Sequence, residues 1–312
     1  MTSKYEQRSL SAAKWGSLLM ALAGVAAAVT SHSDALMVDG LYSGVNFFAA
    51  IIAARVGQQV MSAPDATYPL GQDAAEPIYV TFRALVLLGV MVFAAMSAGG
   101  KVITFWSGGD VVALNYGPIL IYVVAMVAIC FSLSAFHFLN LRRSGGKNAI
   151  LRTEAQAALF DGLLTAGAGS ALLMSQWLVG TFLAPIIPIV DSLIVLLLVV
   201  VILPQPIEIL RHALKQLMGA AASSGEHQAA IGEVMARHSE SFDLLRVDVL
   251  PMGRRDSVVV RARPRHGVTG LDVDQLRDEI QMLYQQRFGL ARTFVLITDR
   301  SEFSDTDGTP RK

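Results

Sequence analysis

Residues 33–48 read SDALMVDGLYSGVNFF, a stretch that sets an aspartate, a tyrosine and an asparagine in an apolar background. In a helix, Asp39, Tyr42, Ser43 and Asn46 fall at i, i+3, i+4 and i+7, so the four side chains share one face. An aspartate at the centre of a membrane helix costs about 2.5–3.5 kcal/mol on insertion, so such residues usually face a cavity or a partner. The stretch predicts a polar site in a membrane bundle, unless Asp39, near the helix start, simply reaches interfacial water.

The composition of the chain is that of a membrane protein. Of its 312 residues, 53% are hydrophobic and 16% are charged, whereas soluble domains carry about 25% charged residues. The formal net charge is zero, so no basic field indicates a nucleic-acid partner. The single cysteine, Cys130, excludes an intrachain disulfide and a cysteine metal cluster. The N-terminal segment has no clear cleavage site and predicts an uncleaved first helix.

Several apolar stretches have the length of about 20 residues that a membrane-spanning helix needs. The predicted spans are residues 12–31, 35–58, 78–100, 114–140, 150–176 and 182–206. Lysine and arginine concentrate before the first span and around the second and fourth loops, at Lys4, Arg8, Lys14, Arg55, Arg83, Arg142, Arg143, Lys147 and Arg152. By the positive-inside rule this places both termini in the cytoplasm. We therefore expect an integral membrane protein, surrounded by lipid, in a bacterial inner membrane.

The composition becomes polar after the sixth span. Residues 226–240 and 271–288 have helical periodicity, whereas residues 242–250, 257–265 and 291–299 alternate as half-buried strands. The predicted order α-β-β-α-β indicates a small α/β domain of the ferredoxin-like or metallochaperone-like type. The predicted fold class is therefore an α-helical membrane protein with six transmembrane helices and a cytoplasmic α/β domain. The predicted limits are 1–215 for the membrane domain, 219–303 for the cytoplasmic domain and 304–312 for a disordered tail.

The fifth span supplies a second polar element, Asp161. Counted from the span's start near residue 150, Asp161 lies about 16 Å deep, at a depth similar to Asn46 on the second span. Thr165 shares the face of Asp161 one turn later. Such residues can simply bond across a helix interface, but an ionisable group at this depth favours an ion or proton path. We expect Asn46 and Asp161 to face each other near the middle of the membrane.

Four stretches together resemble the cation diffusion facilitator family. They are SDALMVDGLYSGVNFF at 33–48, YPLGQDAAEP at 68–77, LRTEAQAALFD at 151–161 and PIVDSLIVLLLVVVIL at 188–203. The six spans with an α-β-β-α-β domain resemble the same family. The resemblance implies a homodimeric antiporter, not an enzyme, that exports Zn²⁺ or a similar divalent cation against protons. It implies no cofactor other than the transported metal cation.

The resemblance also implies a transport site. The family takes two ligands four residues apart from the second helix and two, usually His then Asp, from the fifth. The matching positions here are Tyr42, Asn46, Ala157 and Asp161, so Asp161 alone is retained. Asp161 and Asn46 are the candidate metal ligands. With Tyr42 they offer oxygen donors without imidazole, which suit a hard or weakly bound cation better than Zn²⁺.

Other family metal positions are changed as well. In the loop, Tyr68 and Gln72 stand where the family often has histidines, and Asp73 and Glu76 remain as possible oxygen ligands. The tail histidines have no clear family counterparts; they are His212, His227, His238 and His266. Lone surface histidines are usually not metal ligands.

Three hypotheses follow for the function. The first is a cation transporter with altered selectivity, in which protonation of Asp161 competes with the cation. The second is a non-transporting relative that serves as a dimer partner or scaffold. The third, an unrelated six-helix membrane protein, is disfavoured by the loop and tail resemblance. Asp39 favours the first over the second, because a scaffold has no need of an aspartate beside Tyr42 and Asn46.

Overall fold

The computed structural model describes residues 4–299 except Met61, Ala63, Leu70, 144–148, 179–180, 182–183, Ser223, Arg254 and His266. The helices are α1 (Lys4–Ser31), α2 (Asp34–Val60), α3 (Ala75–Trp106), α4 (Tyr116–Arg143), α5 (Ala149–Met174), α6 (Val190–Ile202), α7 (Pro204–Leu217), α8 (Gly225–Arg237) and α9 (Gly270–Arg287). The strands are β1 (Phe242–Met252), β2 (Arg255–Pro264) and β3 (Ala291–Ile297). Six helical stretches of the described residues are long and apolar enough to cross a membrane. The predicted fold class is confirmed.

The chain divides into two compact units. The first joins Met1–Ala54 with Phe82–Ile209, and the second joins Arg55–Thr81 with Leu210–Lys312. The second unit thus combines the connection between α2 and α3 with the polar tail. The predicted domain limits stay a prediction, and the predicted disordered tail at 304–312 lies outside the described residues.

The start of α2 is fixed by a buried carboxylate from another span. The Asp191 carboxylate, at the start of α6, accepts hydrogen bonds from the Ser33 hydroxyl and the Asp34 backbone N–H, both at 2.6 Å. The backbone N–H of Ala35 also donates to it, at 3.3 Å. An anion satisfies the unpaired N–H groups at a helix N-terminus and interacts favourably with the helix dipole. The aspartate in the stretch 188–203 therefore ties α6 to α2.

Helices α2 and α3 run antiparallel, as contacts near both ends show. At the start of α2, Asp34 forms an ion pair with Lys101 at 2.9 Å and accepts a hydrogen bond from Ser97. More than three turns further along α2, Asn46 bonds to Arg83, which precedes Ser97 in α3. Arg83 lies about two turns inside α3, although the sequence interpretation counted it with the loop charges. Helix α3 continues on both sides of Arg83.

One candidate membrane span, Ala184–Leu217, covers the described part of the stretch predicted over 182–206, with changes of helical hydrogen-bond pattern inside it. It consists of a 3₁₀ segment at Ala184–Ile189, then α6, a break at Leu203 and then α7. Pro204 explains the interruption, because proline has no N–H to donate to the helical hydrogen-bond pattern. Leu203 itself keeps helical backbone angles, and its N–H donates to the Val199 carbonyl at 2.8 Å. The start of the predicted span, at 182–183, lies outside the described residues.

The membrane helices pack through small residues and buried apolar side chains. A Cβ atom built on Gly40 of α2 would lie 2.8 Å from the backbone nitrogen of Val25 in α1. A Cβ on Gly169 of α5 would collide with Val123 of α4. Close backbone approach at small residues is how membrane helices gain packing energy without a hydrophobic effect between them. The buried core beside these contacts includes Met20, Met91, Ile119, Met126 and Leu172.

The tail of the second unit is a three-stranded sheet in the order β1-β2-β3. β1 and β2 are antiparallel, with Val247 opposite Val260, and β2 and β3 are parallel, with Val258 opposite Thr293. Valines at alternate positions point to one face of the sheet. Their apolar core is completed by α8 and α9, through Val234, Leu276 and Ile280 among others. The predicted order α-β-β-α-β is confirmed.

Both tail helices begin with reciprocal caps. At α8, the Ser224 hydroxyl accepts from the His227 backbone, and the His227 ring accepts from the Ser224 backbone. At α9, Thr269 and Asp272 form the equivalent pair. Hydrogen bonds from the Thr269 backbone N–H and hydroxyl lower the pKa of Asp272. Such caps are worth about 0.5–2 kcal/mol each.

Candidate cation site

The polar stripe of α2 lies within the helix as the sequence predicts. Asp39, Tyr42, Ser43 and Asn46 all fall between the first and last residues of α2, Asp34–Val60. Ser43 is buried, and the other three are half-buried. None of the four is fully exposed, so other described residues cover at least part of each side chain.

Asp39 is held by a residue that sequence reasoning missed. The Tyr122 hydroxyl, on α4, donates a hydrogen bond of 2.6 Å to the Asp39 carboxylate. Tyr122 is itself buried, with 4% of its surface exposed. A phenol donor satisfies a carboxylate inside a membrane bundle, so Asp39 does more than reach interfacial water. The available signal was a tyrosine inside the otherwise apolar fourth span.

Asp161 of α5 lies where polar groups of α2 and α4 converge. It interacts electrostatically with Asp39 and with Glu154, about two turns before it on α5. Tyr42 and Cys130 in turn interact electrostatically with Asp161. The carboxylates of Asp39 and Asp161 therefore belong to one polar cluster. Glu154, inside the quoted stretch 151–161, was not identified as a site residue from the sequence.

Asn46 has a neighbour that the sequence analysis did not predict. The Arg83 guanidinium of α3 donates a hydrogen bond of 3.1 Å to the Asn46 side-chain oxygen. Tyr42 interacts with both Asn46 and Asp161, so it connects the two predicted ligands. The direct meeting of Asn46 with Asp161 stays a prediction.

A small cavity opens beside Tyr42 and Arg83. Its volume is about 30 Å³, which is the share of one water molecule in the liquid. The lining residues come from α2, α3 and the sixth span: Tyr42, Arg83, Leu87, Met91, Ile202, Gln205, Pro206 and Ile209. The cavity has room for a water or a small ion next to the stripe.

Most of the candidate ligand atoms of the site are oxygens. In the described part of the chain, no group of three or more His, Cys, Asp or Glu side chains is placed to hold a metal ion. Ala157, at the family's histidine position, offers no donor. The cluster thus lacks the tetrahedral set of nitrogen and sulfur ligands that Zn²⁺ prefers.

Comparison with protein families identifies the family of the chain. A family model described as the cation efflux transmembrane domain matches residues 11–218. The chain belongs to the cation efflux family. It is an integral membrane protein and a cation transporter of the cation diffusion facilitator type. None of the curated proteins compared with the chain matches it.

Family membership gives Asp161 its context, because Asp161 stands at a cation-ligand position that the sequence resemblance assigned. Tyr42 and Asn46 stand at the corresponding positions of α2. The structure adds three side chains near the candidate site: Tyr122, Glu154 and Arg83. Tyr122 and Arg83 lie on helices other than α2 and α5, so spacing along those two helices could not reveal them. Glu154 lies on α5, about two turns before Asp161, and its spacing could have revealed it.

The loop carboxylate Asp73 has an ion-pairing role rather than a visible ligand role. Within the second unit, it is 8% exposed and lies 3.3 Å from Arg255 and 3.6 Å from Arg292. Both guanidiniums belong to the sheet, one at the start of β2 and the other in β3. A buried carboxylate between two arginines ties the connection between α2 and α3 to the tail of this cation efflux protein.

The described tail histidines make contacts that need no metal. His227 caps α8, and its ring packs on Phe288 with centroids 4.6 Å apart. His238 lies 3.4 Å from Glu279, and His212 lies 3.1 Å from Gln216. His266 lies outside the described residues. The expectation that the tail histidines are not family ligands stays a prediction.

Proposed function

We propose that the chain transports a hard or weakly bound cation in exchange for protons, with Asp161 at the centre of its site. One observation supports this above the others: Asp161 of α5 shares its surroundings with Asp39 and Tyr42 of α2. These are the two helices from which the cation efflux family takes its ligands. Asn46, Ser43 and the small cavity extend the site along α2.

The selectivity follows from the ligand atoms. Carboxylate, phenol and amide oxygens are hard donors, which suit Mg²⁺, Mn²⁺ or an alkali cation. Zn²⁺ is bound best by histidine and cysteine, and the family's histidine position is Ala157. We infer that this transporter prefers other cations to Zn²⁺.

Proton coupling follows from the acidic groups that face Asp161. Asp39 and Glu154 are its acidic neighbours, Tyr42 and Cys130 are weakly acidic ones, and Arg83 carries positive charge toward Glu154 and Tyr42. Like charges in a poorly solvated site repel, and either a proton or a cation relieves the repulsion. A proton on Asp161 therefore excludes the cation from the same oxygen atoms, which is the simplest form of antiport.

The test is uptake into proteoliposomes across a panel of cations while internal pH is recorded. The panel is Mg²⁺, Mn²⁺, Zn²⁺, Na⁺ and K⁺, with empty liposomes as the control. We expect uptake of at least one hard cation, coupled to proton movement in the opposite direction, and weak uptake of Zn²⁺. Zn²⁺ as the best substrate would overturn the selectivity, and uptake without any pH change would overturn the coupling.

A second candidate function is a non-transporting dimer partner. It is favoured by the hydrogen bond of Asn46: the side-chain oxygen accepts from the Arg83 guanidinium instead of being open to a cation. Absence of uptake for every cation on the panel would favour this function.

We further propose that the protein is a homodimer, with both termini in the cytoplasm of a bacterial inner membrane, and that its tails associate without metal. The tail histidines are engaged in caps, ring packing and hydrogen bonds, so the tail contacts should not depend on a bound ion. The mass measured by light scattering in detergent should be dimeric and unchanged by a chelator. Dissociation on chelation would contradict this prediction.

A further inference from the structure

Arg83 places a permanent positive charge directly against the cation site. Its guanidinium donates to Asn46, and its side chain lines the small cavity together with Tyr42. The residue is exposed on the surface of the chain. Because a guanidinium is strongly unfavourable in hydrocarbon, its exposure indicates that water reaches this part of α3.

The guanidinium also balances the acidic groups of the site. Glu154 and Tyr42 both interact electrostatically with Arg83. Glu154 belongs to the same acidic cluster as Asp161 and Asp39. Arginine stays protonated at all physiological pH values. The positive charge at this end of the cluster is therefore constant, whatever the protonation of the carboxylates.

We propose that Arg83 is a specificity-determining residue: its guanidinium, tethered to Asn46, competes with the transported cation and disfavours divalent ions more than monovalent ones. A cation that uses the Asn46 oxygen must displace the guanidinium. A cation in the cavity beside Tyr42 is repelled by the guanidinium, which lines the same cavity. At a given distance that repulsion is twice as large for a divalent ion as for a monovalent one. This inference rests on the proposed function, because it names the ion class of the same site.

Two variants separate the charge of Arg83 from its shape. Arg83→Gln removes the charge but keeps an amide donor for Asn46, whereas Arg83→Lys keeps the charge and loses the planar fork. Uptake of Mn²⁺ and Na⁺ into proteoliposomes gives KM and kcat for each ion. We expect Arg83→Gln to lower the KM for Mn²⁺ by a factor about tenfold larger than the factor for Na⁺. The variant removes the repulsion from the guanidinium, and that repulsion scales with the charge of the ion. Arg83→Lys should keep the wild-type ratio.

A purely structural role gives a different pattern. Loss of packing would reduce kcat for both ions alike and lower the melting temperature of both variants. An unchanged Mn²⁺ to Na⁺ ratio of KM values in Arg83→Gln would overturn the inference and leave the proposed transport function standing. If wild type transports nothing and Arg83→Gln transports Mn²⁺, the proposed function fails and the inference holds.

A binding readout covers the case in which neither protein transports. Mn²⁺ should then raise the melting temperature of detergent-solubilised Arg83→Gln more than that of wild type, since ligands that bind the folded state stabilise it. Equal shifts, or none in either protein, would overturn the inference. The double variant Arg83→Gln, Asp161→Asn, measured with Mn²⁺, is the control for ions that bind elsewhere on the protein.

Discussion

Asp161→Asn is expected to abolish coupled cation and proton movement while leaving the protein folded. Asparagine keeps the shape of the side chain but removes the titrating charge and most of the attraction for a cation. At an effective dielectric constant of about 20, one close charge pair is worth several kcal/mol, so uptake should fall about 100-fold or more. Uptake and internal pH in proteoliposomes measure the loss. Gel filtration and the melting temperature in detergent confirm the fold.

Asp39→Asn is the matched comparison for this variant. Its carboxylate belongs to the same cluster, but it is already satisfied by the Tyr122 hydroxyl at 2.6 Å. An amide oxygen can still accept that bond, so we expect a smaller loss of uptake than in Asp161→Asn. Unchanged uptake in Asp161→Asn would show that the Asp161 carboxylate, retained at a family ligand position, is not needed for transport. A larger loss of uptake in Asp39→Asn would place the cation site nearer the start of α2.

The fold was largely predictable because its determinants are local in the sequence. A span is recognised by about 20 apolar residues, and the tail elements are recognised by periods of 2 and 3.6. The interruption of the helical hydrogen-bond pattern at Leu203 was not predicted, although Pro204 lacks the N–H that a continuous pattern needs. An apolar run alone does not distinguish one helix from two successive ones.

The site was predictable along each helix but not between helices. Spacing placed Asp39, Tyr42 and Asn46 on one face, because helical geometry fixes that face. No spacing connects Asp39 with Tyr122, which lies on α4, or Asn46 with Arg83 on α3. Those pairs depend on how the helices are rotated and on how they pack. The positive-inside rule used Arg83 only as a charge beside the second loop, because the rule reads orientation from arginines and not from what they contact.

The packing of α1 against α2 limits the space around Asp39 and its hydrogen-bond donor Tyr122. Gly24 and Gly40 meet at the crossing, and a Cβ on Gly24 would lie 2.5 Å from the Gly40 Cα and 3.1 Å from the Tyr122 hydroxyl. Asp39 is the residue before Gly40, and Tyr122 is its hydrogen-bond donor. The close approach of the two backbones and the Asp39 to Tyr122 bond therefore occupy the same small space.

Gly40→Ala is accordingly expected to destabilise the protein and to weaken transport. Its new methyl group would lie 2.8 Å from the Val25 nitrogen and 2.9 Å from the Gly24 carbonyl carbon. Because these are backbone atoms, the helices must separate, at a cost of about 1–3 kcal/mol. The matched control is Gly44→Ala, one turn later, where the new Cβ would lie 3.7 Å from the Ala21 Cβ.

The two variants make the same chemical change in the same helix. Alanine favours helix over glycine by about 0.5–1 kcal/mol, so Gly44→Ala should be neutral or stabilising. Melting temperatures in detergent, followed by tryptophan fluorescence, should fall by several degrees for Gly40→Ala alone, since its helices must move apart. Uptake per folded molecule should fall with it, because separation of α1 and α2 displaces Asp39 from Tyr122. Equal melting temperatures for the two variants would show that the crossing at Gly40 tolerates a side chain, and that helix separation does not limit the site.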